Sequence, residues 1–222
     1  MAKENFFSST IGKKLIVGLT GLFLISFLVI HVSVNSLILL NDGGETFNAA
    51  AHFMSHFWLI RLLEIGLLLG ILLHIVLTLR LTIANKQNRP VKYVVSAANQ
   101  NSKWYSRSMG VLGSLLLIFL VVHMSDFWWA TKKALYITKE VDNPYTEIIA
   151  TLSNPIFLVI YVIGVVSLGF HLLHGFPSAF QSLGLNHKKY TPIIKALGTA
   201  FSIVVPGLFA IIALCVFFGL VQ

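Results

Sequence analysis

Five long runs of apolar residues alternate with short polar connections along this chain of 222 residues. A hydrocarbon core about 30 Å thick is crossed by about 20 apolar residues in helical conformation. Lipid offers no hydrogen-bond partners to free backbone groups, so a spanning segment of this kind is an α-helix. The pattern therefore predicts an all-α integral membrane protein, a single domain over residues 1–222, with spans at about 15–40, 57–83, 108–130, 155–176 and 192–221.

Helix-boundary signals mark two of these spans. Asn154-Pro155 and Thr191-Pro192 each place a capping residue before a proline in the first helical turn. The first run is longer than the 7–15 apolar residues of a signal peptide. We therefore expect the first span to be retained in the mature protein.

The composition narrows the class of protein further. The chain is 56% hydrophobic and 11% charged, whereas a soluble domain carries about 25% charged residues. Its one cysteine, Cys215, excludes an intrachain disulfide, a four-cysteine iron–sulfur cluster and covalent C-x-x-C-H haem attachment. The connections are too short for a soluble domain, so we expect membrane lipid and partner subunits around this chain, and no nucleic acid.

Basic residues are concentrated in alternate connections, which predicts the orientation of the spans. Twelve basic residues and one acid, Glu4, fall on one side, and three basic and six acidic residues fall on the other. This distribution predicts a cytoplasmic N-terminus and an external C-terminus. The twelve are Lys3, Lys13, Lys14, Arg80, Lys86, Arg89, Lys92, Lys103, Arg107, Lys188, Lys189 and Lys195.

Each of the first four spans carries a histidine at a similar distance from its N-terminal end. They are His31, His74, His123 and His171. Because consecutive spans run in opposite directions, the first and third histidines share one layer and the second and fourth share another, about 15 Å away. Imidazole is an axial ligand of haem iron. The pattern predicts two bis-histidine haems b and a path for electrons across the membrane.

Other interpretations of the histidines stay open. His174 competes with His171, and the two point about 60° apart on a helix, so both cannot ligate one iron. We favour His171, with His174 bonded to a haem propionate or to nearby backbone. His52 and His56 are interpreted as interfacial residues rather than a metal site. If the four intramembrane histidines hold no haem, the chain is instead a transporter or proton relay.

The chain resembles the cytochrome b subunit of succinate dehydrogenases and fumarate reductases, in the form with one five-helix anchor and two haems b. The resemblance covers all five spans. It is most specific at Thr20-Gly21, in the spacing of the four histidines, and in the fourth-span block Phe170–Gly184. In that family a ligand histidine is followed four residues later by glycine, which here favours His171, followed by Gly175.

The resemblance implies ligands, cofactors and partners. His74 and His171 would hold the cytoplasmic-side haem, and His31 and His123 the outer one. The partner subunits would be a flavoprotein with covalent FAD and an iron–sulfur protein, in a bacterial inner membrane. The electron acceptor would be a quinone, with menaquinone favoured. Another quinone-linked cytochrome b, from a hydrogenase or formate dehydrogenase, is the alternative.

Further residues acquire candidate roles from this resemblance. Arg80, Arg107 and Lys188 are placed to pair with propionates of the inner haem, or they only extend to lipid headgroups. Some fumarate-reducing relatives carry a glutamate two residues before the fourth-span ligand, where this chain has Gly169. Eight glycines precede the four histidines and would leave room for porphyrins or for close helix packing: Gly18, Gly21, Gly66, Gly70, Gly110, Gly113, Gly164 and Gly169.

A candidate quinone site lies in the outer half of the second span. Arg61 and Glu64 are about one helical turn apart there. Either they pair with and satisfy each other, or Glu64 donates protons in quinone chemistry. Asp126, Trp128 and Trp129 would close the same region, although tryptophans are also expected in the membrane interface.

Overall fold

The computed structural model describes residues 6, 9–88, 98–139 and 143–221, and these form helices and connections with no strand. This confirms the all-α fold class. The α-helices are α1 Thr10–Ser36, α2 Glu45–His56, α3 Trp58–Gln87, α4 Ala98–Asn101, α5 Trp104–Arg107, α6 Met109–His123, α7 Ala130–Lys133, α8 Pro144–Leu152, α9 Pro155–Ser182 and α10 Thr191–Phe217. A 3₁₀ turn (Leu37–Leu40) follows α1, and π-helical turns (Met124–Trp129 and Ala134–Thr138) flank α7.

In the described part of the chain, five continuous helical segments are long and apolar enough to cross a membrane, as predicted. The first four extend past the predicted spans because polar residues at their ends remain helical, whereas the fifth ends at Phe217, before the predicted end at 221. Their bounds are Thr10–Leu40, Trp58–Gln87, Met109–Thr138, Pro155–Ser182 and Thr191–Phe217. The chain is therefore a multi-pass membrane protein.

The two predicted helix starts have different outcomes. The side chain of Asn154 accepts a hydrogen bond from the Ile156 backbone N–H at 2.9 Å, with Pro155 in the first turn of α9, which confirms that cap. Thr191 is not the cap of α10, because that helix already includes it. Its hydroxyl instead accepts from the His187 N–H at 3.1 Å and donates to the Asn186 side chain at 2.9 Å, so it is tied to the preceding loop.

The long helices alternate in direction and so define two ends of the bundle. The N-termini of α1, α6 and α10 share one end with the C-termini of α3 and α9. We call this the basic end, because the charged residues described there are all cations. They are Lys13, Lys14, Arg80, Lys86, Lys103, Arg107, Lys188, Lys189 and Lys195.

The short helices α2 and α8 close the opposite end, which we call the capped end. Ile38 is 1% exposed and packs there with Phe47 of α2 and with Tyr145 and Ile148 of α8. The side chains of Asn48 and Asn143 are hydrogen-bonded at 3.0 Å, which joins the two short helices. These contacts form the main buried cluster of the described residues.

A hydrogen-bonded turn leads into α2. The carboxylate of Asp42 accepts hydrogen bonds from the Thr46 hydroxyl at 2.5 Å and from the Thr46 and Gly44 backbone N–H groups at 3.1 Å. The bonds from Thr46 hold the pKa of Asp42 below its usual value. The turn thus favours the ionised form of Asp42 and fixes where α2 begins at the capped end.

Helix packing is uneven around the bundle. Helix α9 packs closely on α10, α1 and α6, and α1 also packs on α3 and α10. Two pairs, α1 with α6 and α3 with α9, make no extended backbone contact among the described residues. These are the helix pairs that carry the predicted histidine pairs.

Candidate functional site

His31 of α1 and His123 of α6 meet toward the capped end. Their ring centroids are 5.7 Å apart and their planes cross at 82°. Two imidazoles that ligate one metal through nitrogens about 2 Å from it have ring centres about 6 Å apart. The observed separation matches that value, although the two residues lie on helices without extended backbone contact.

Aromatic side chains surround this pair. Phe27 stacks on His31 at 5.1 Å between ring centroids, and Phe209 of α10 approaches it at 5.4 Å. On the other side, His123 contacts Phe119 at 5.6 Å and Tyr161 at 5.9 Å. An apolar shell of this kind excludes water, which is a main control of redox potential at a metal site.

Tyr161 links this shell to a carboxylate. Its side chain is 7% exposed, and its hydroxyl donates to Asp126 at 3.2 Å. Asp126 lies in the π-helical turn that begins directly after His123. This wide turn changes the direction of the side chains that follow the histidine. Asp126 therefore faces α9.

The ring nitrogens of the capped-end pair differ in their contacts. The Asn35 amide lies 3.4 Å from His31 Nδ1 and donates to the His31 carbonyl at 2.8 Å. His123 Nδ1 is buried and has no hydrogen-bond partner among the described residues.

His74 of α3 and His171 of α9 are the second candidate pair. His74 Nδ1 lies 3.1 Å from the Thr20 hydroxyl on α1. His171 Nδ1 is buried without a hydrogen-bond partner among the described residues. Thr20 and His31 are eleven residues apart on one helix, so the two pairs are separated by about 16 Å along the bundle.

His174 is bonded to a side chain of the short helix α5. Its Nδ1 lies 2.6 Å from the hydroxyl of Ser106 at the basic end. The expected partner was a propionate or a backbone group, and the partner described here is a serine hydroxyl. The choice of His171 rather than His174 as the ligand stays a prediction.

The predicted propionate partners are spread across the basic end. Arg107 donates to the Ser102 carbonyl at 2.5 Å and to its hydroxyl at 3.3 Å. Arg80 and Lys188 are exposed. Their roles stay predictions.

Glu64 of α3 is the centre of a charged network. It accepts from Arg61 at 3.1 Å, from the Trp128 indole N–H at 2.5 Å and from Lys132 at 2.7 Å. The guanidinium of Arg61 also lies over the Tyr136 ring, 5.6 Å from its centroid. The expected Arg61–Glu64 pair thus forms, and Lys132 adds a second cation to it.

Of the residues predicted around the quinone, two share this network with Glu64. Trp128 joins Arg61 in contacting it, whereas Asp126 is bonded to Tyr161 instead. Trp129 is 54% exposed, as expected of an interfacial tryptophan.

Half of the eight glycines serve helix packing. A Cβ at Gly18 would lie 3.2 Å from the Ala179 carbonyl, and one at Gly169 would lie 3.2 Å from the Ser202 carbonyl. A Cβ at Gly164 would overlap the Phe119 ring, and one at Gly70 would press on Phe23. The remaining four leave space, since a Cβ at Gly21 makes only ordinary contact with the His74 ring, and one at Gly66, Gly110 or Gly113 meets nothing within 4 Å.

The exposed histidine pair on α2 does not extend into a larger cluster. The rings of His52 and His56 stack with centroids 3.9 Å apart. No group of three or more histidine, cysteine or acidic side chains that could hold a metal occurs in the described part of the chain.

The four intramembrane histidines, His31, His123, His74 and His171, fit haem b better than a metal ion held by protein side chains alone. Each pair supplies two uncharged nitrogen donors from different helices, the donor set of a six-coordinate haem iron. The helix pairs concerned make no extended backbone contact, and buried Nδ1 atoms without partners occur in both pairs. The assignment of the four ligands stays a prediction.

Three of the contacts at this site are not predictable from the sequence. Thr20 belongs to the Thr20-Gly21 motif, but the motif does not indicate its contact with His74. Tyr161 and Ser106 carry no sequence signal, because their partners, Asp126 and His174, are distant in sequence.

Comparison with known proteins agrees with this arrangement. No protein-family model and no solved structure matches the chain. The succinate dehydrogenase cytochrome b558 subunit of Bacillus subtilis (strain 168) is 29% identical over 183 residues, which cover 81% of each chain. Over most of its length, the chain is thus similar to a cytochrome b subunit of succinate dehydrogenase, which confirms the resemblance predicted from the sequence.

Proposed function

We propose that this chain is the di-haem cytochrome b anchor of a succinate:quinone oxidoreductase. It carries electrons between a cytoplasmic flavoprotein and iron–sulfur pair and a membrane quinone. The observation that carries the proposal is that His31 and His123 meet at 5.7 Å between ring centroids, from two different helices of the bundle. Similarity to a succinate dehydrogenase subunit supports it.

Four histidines would hold the cofactors. His74 and His171 would ligate the haem b near the basic end, and His31 and His123 the one near the capped end. When bound, haem b supplies reversible one-electron transfer. The chain would hold the pairs about 16 Å apart along the bundle, and aromatic side chains surround His31 and His123.

The basic end would face the cytoplasm. The positive-inside rule favours this orientation, and it puts the N-terminus inside and the C-terminus outside a bacterial inner membrane. The nine described cations there, with no acid among the described residues of that end, suit a partner with an acidic surface. The iron–sulfur subunit would dock on this end and the flavoprotein, with FAD, beyond it.

Quinone would react near the capped end, beside the Glu64 network. Reduction of a quinone consumes two electrons and two protons, so the site needs a group that passes protons. Glu64 is half-buried and held by Arg61, Trp128 and Lys132, which orients its carboxylate. Asp126, bonded to Tyr161 beside His123, is the second candidate for this role.

Purification of the native complex tests the proposal. We expect two haems b per chain, one covalently bound FAD per complex, and succinate-dependent reduction of both haems. Two other results would contradict it. Co-purification with hydrogenase or formate dehydrogenase subunits would assign the chain to another quinone-linked complex, and a pure complex without haem b absorbance would favour a histidine-dependent transporter.

A further inference from the structure

The four candidate ligands differ in how the protein holds their second ring nitrogen. A ligating histidine almost always donates this second N–H to a hydrogen-bond acceptor, which fixes the ring and raises its basicity. His123 Nδ1 and His171 Nδ1 have no such partner among the described residues. His74 Nδ1 has one, the hydroxyl of Thr20, at 3.1 Å on a different helix.

The direction of this hydrogen bond follows from the other contacts of Thr20. Its hydroxyl lies 2.9 Å from the Ile16 carbonyl and 3.1 Å from the Val17 carbonyl, one turn earlier on α1. A hydroxyl has a single hydrogen, and these carbonyls can only accept it. The oxygen lone pairs of Thr20 are then left for His74, which donates from Nδ1.

That direction selects one tautomer of His74. A neutral imidazole carries its hydrogen on one nitrogen only, so a hydrogen on Nδ1 leaves the Nε2 lone pair free to bind iron. The neighbouring Gly21 leaves open space beside the ring, where even a Cβ would make only ordinary contact, 3.5 Å from His74 Cε1. The pair Thr20-Gly21 therefore orients one ligand and leaves room beside it.

We infer that Thr20 is a positioning residue that sets the tautomer, orientation and donor strength of His74 as the ligand near the basic end. This inference rests on the proposed function. Within that pair, His74 is oriented by the protein before the cofactor binds, whereas His171 is fixed by the iron itself. Thr20 thus acts on one cofactor only, through one ligand.

The test substitutes Thr20 in the full complex and measures both haems. Thr20→Val keeps the branched shape and removes the hydroxyl, and Thr20→Ser restores the hydroxyl. Thr78→Val is the matched control. The Thr78 hydroxyl makes the same two helix-carbonyl bonds, to His74 at 2.7 Å and Ile75 at 2.9 Å, without contacting the imidazole.

Thr20→Val should weaken haem binding at the basic-end site by about 10–100-fold, the usual effect of losing such a partner. A weaker donor stabilises the ferric state less, so the midpoint potential of that haem should rise. A tenfold change in the ferric-to-ferrous binding ratio corresponds to about 59 mV. Thr20→Ser should restore both values, and Thr78→Val should change neither. The other haem serves as the internal reference.

Other outcomes would overturn the inference. Unchanged potential and haem retention in Thr20→Val would do so while leaving the proposed function intact. Equal effects of Thr20→Val and Thr78→Val would show that the change in haem binding comes from losing a threonine hydroxyl's bonds to carbonyls of its own helix, and not from losing the bond to His74. If Thr20→Val lost both haems and Thr20→Ala kept both with wild-type potentials, the defect would lie in packing. A wild-type complex without haem would instead refute the proposed function.

Discussion

The imidazoles of His31 and His123 lie nearly perpendicular to each other, 5.7 Å apart between ring centroids, on two helices that make no extended backbone contact. This relationship is unusual for a helical bundle, in which residues that touch commonly lie on packed helices. It brings two side chains that can bind a metal together at one level of the bundle. Because they lie on different helices, each histidine can be substituted without changing the other.

His123→Ala should therefore remove the haem near the capped end and leave the other one. The expected result is one haem b per chain, since the pair of His74 and His171 lies about 16 Å away. Optical redox titration of the purified complex measures this. His52→Ala, which removes an exposed histidine of α2, is the control and should retain two haems. Retention of two haems by His123→Ala would refute this ligand assignment.

His171 and His174 should respond differently to substitution. His171→Ala should abolish the haem near the basic end, because its partner His74 alone cannot form a bis-histidine site. His174→Ala should keep that haem and only shift its spectrum or potential, because both proposed ligands, His74 and His171, stay in place and only the bond between His174 and Ser106 is lost. Ser106→Ala should reproduce the milder effect. The reverse pattern would transfer the ligand role to His174.

The sequence was sufficient to predict the membrane helices but not their local irregularities. Hydropathy predicts where a helix must exist, because lipid penalises every unpaired backbone group. It does not predict the π-helical turn after His123, which depends on a change of hydrogen-bond register. The prediction for Thr191 was wrong because its hydroxyl bonds to the preceding loop, a contact that capping statistics do not include.

For the candidate site, the sequence predicts which histidines lie at one level but not the hydrogen bonds around them. Alternating direction brings His31 to the level of His123, so helix geometry alone predicts that pairing. The bond between Thr20 and His74 depends on how two helices are rotated about their axes, which a sequence pattern leaves undetermined. The sequence places Lys132 only among the charges of the external connections. In the structure it lies 2.7 Å from Glu64, because the helix continues beyond its apolar run.

Glu64→Gln should separate quinone chemistry from haem binding. Glutamine keeps the size of the side chain but cannot carry a proton, so we expect both haems to remain and quinone reduction to slow by about 10²-fold or more. The measurement is succinate:quinone activity alongside haem content. Lys133→Met is the control, since this neighbouring cation is exposed. Unchanged quinone reduction, with lowered thermal stability, would show that the network only holds helices together.

Gly44 and Gly43 provide a matched pair of substitutions for testing how the capped end is packed. Both have positive φ, at +81° and +69°. A Cβ at Gly44 would overlap the Tyr145 ring, whereas one at Gly43 meets nothing within 4 Å. Gly43→Ala should cost about 1 kcal/mol from backbone strain, and Gly44→Ala about 1–3 kcal/mol more from displacing the buried ring. Denaturant unfolding in detergent measures both, and equal losses would contradict this account of the cap.

The last prediction concerns the membrane potential. Electrons that move from the basic end to a quinone at the capped end cross about half of the hydrocarbon core, since the pairs are about 16 Å apart. At about 2.3 kcal/mol per charge per 100 mV across the whole core, this step alone changes by about 1 kcal/mol per 100 mV. Protons taken up from the outer face would add to the charge moved.

Gly169 supplies no carboxylate for a compensating proton path through the bundle. A Cβ at this position would already lie 3.2 Å from the Ser202 carbonyl, so the backbone of α10 occupies the space that a longer side chain needs. Turnover should therefore be electrogenic, and a potential that is positive outside should accelerate electron transfer from succinate to quinone. Vesicles containing the complex, with an imposed potassium diffusion potential, measure this rate. Reduction of a water-soluble dye at the partner subunits is the control and should not respond. A quinone reduction rate that is equally indifferent would show that quinone reacts near His74 and His171, or that protons follow the electrons across.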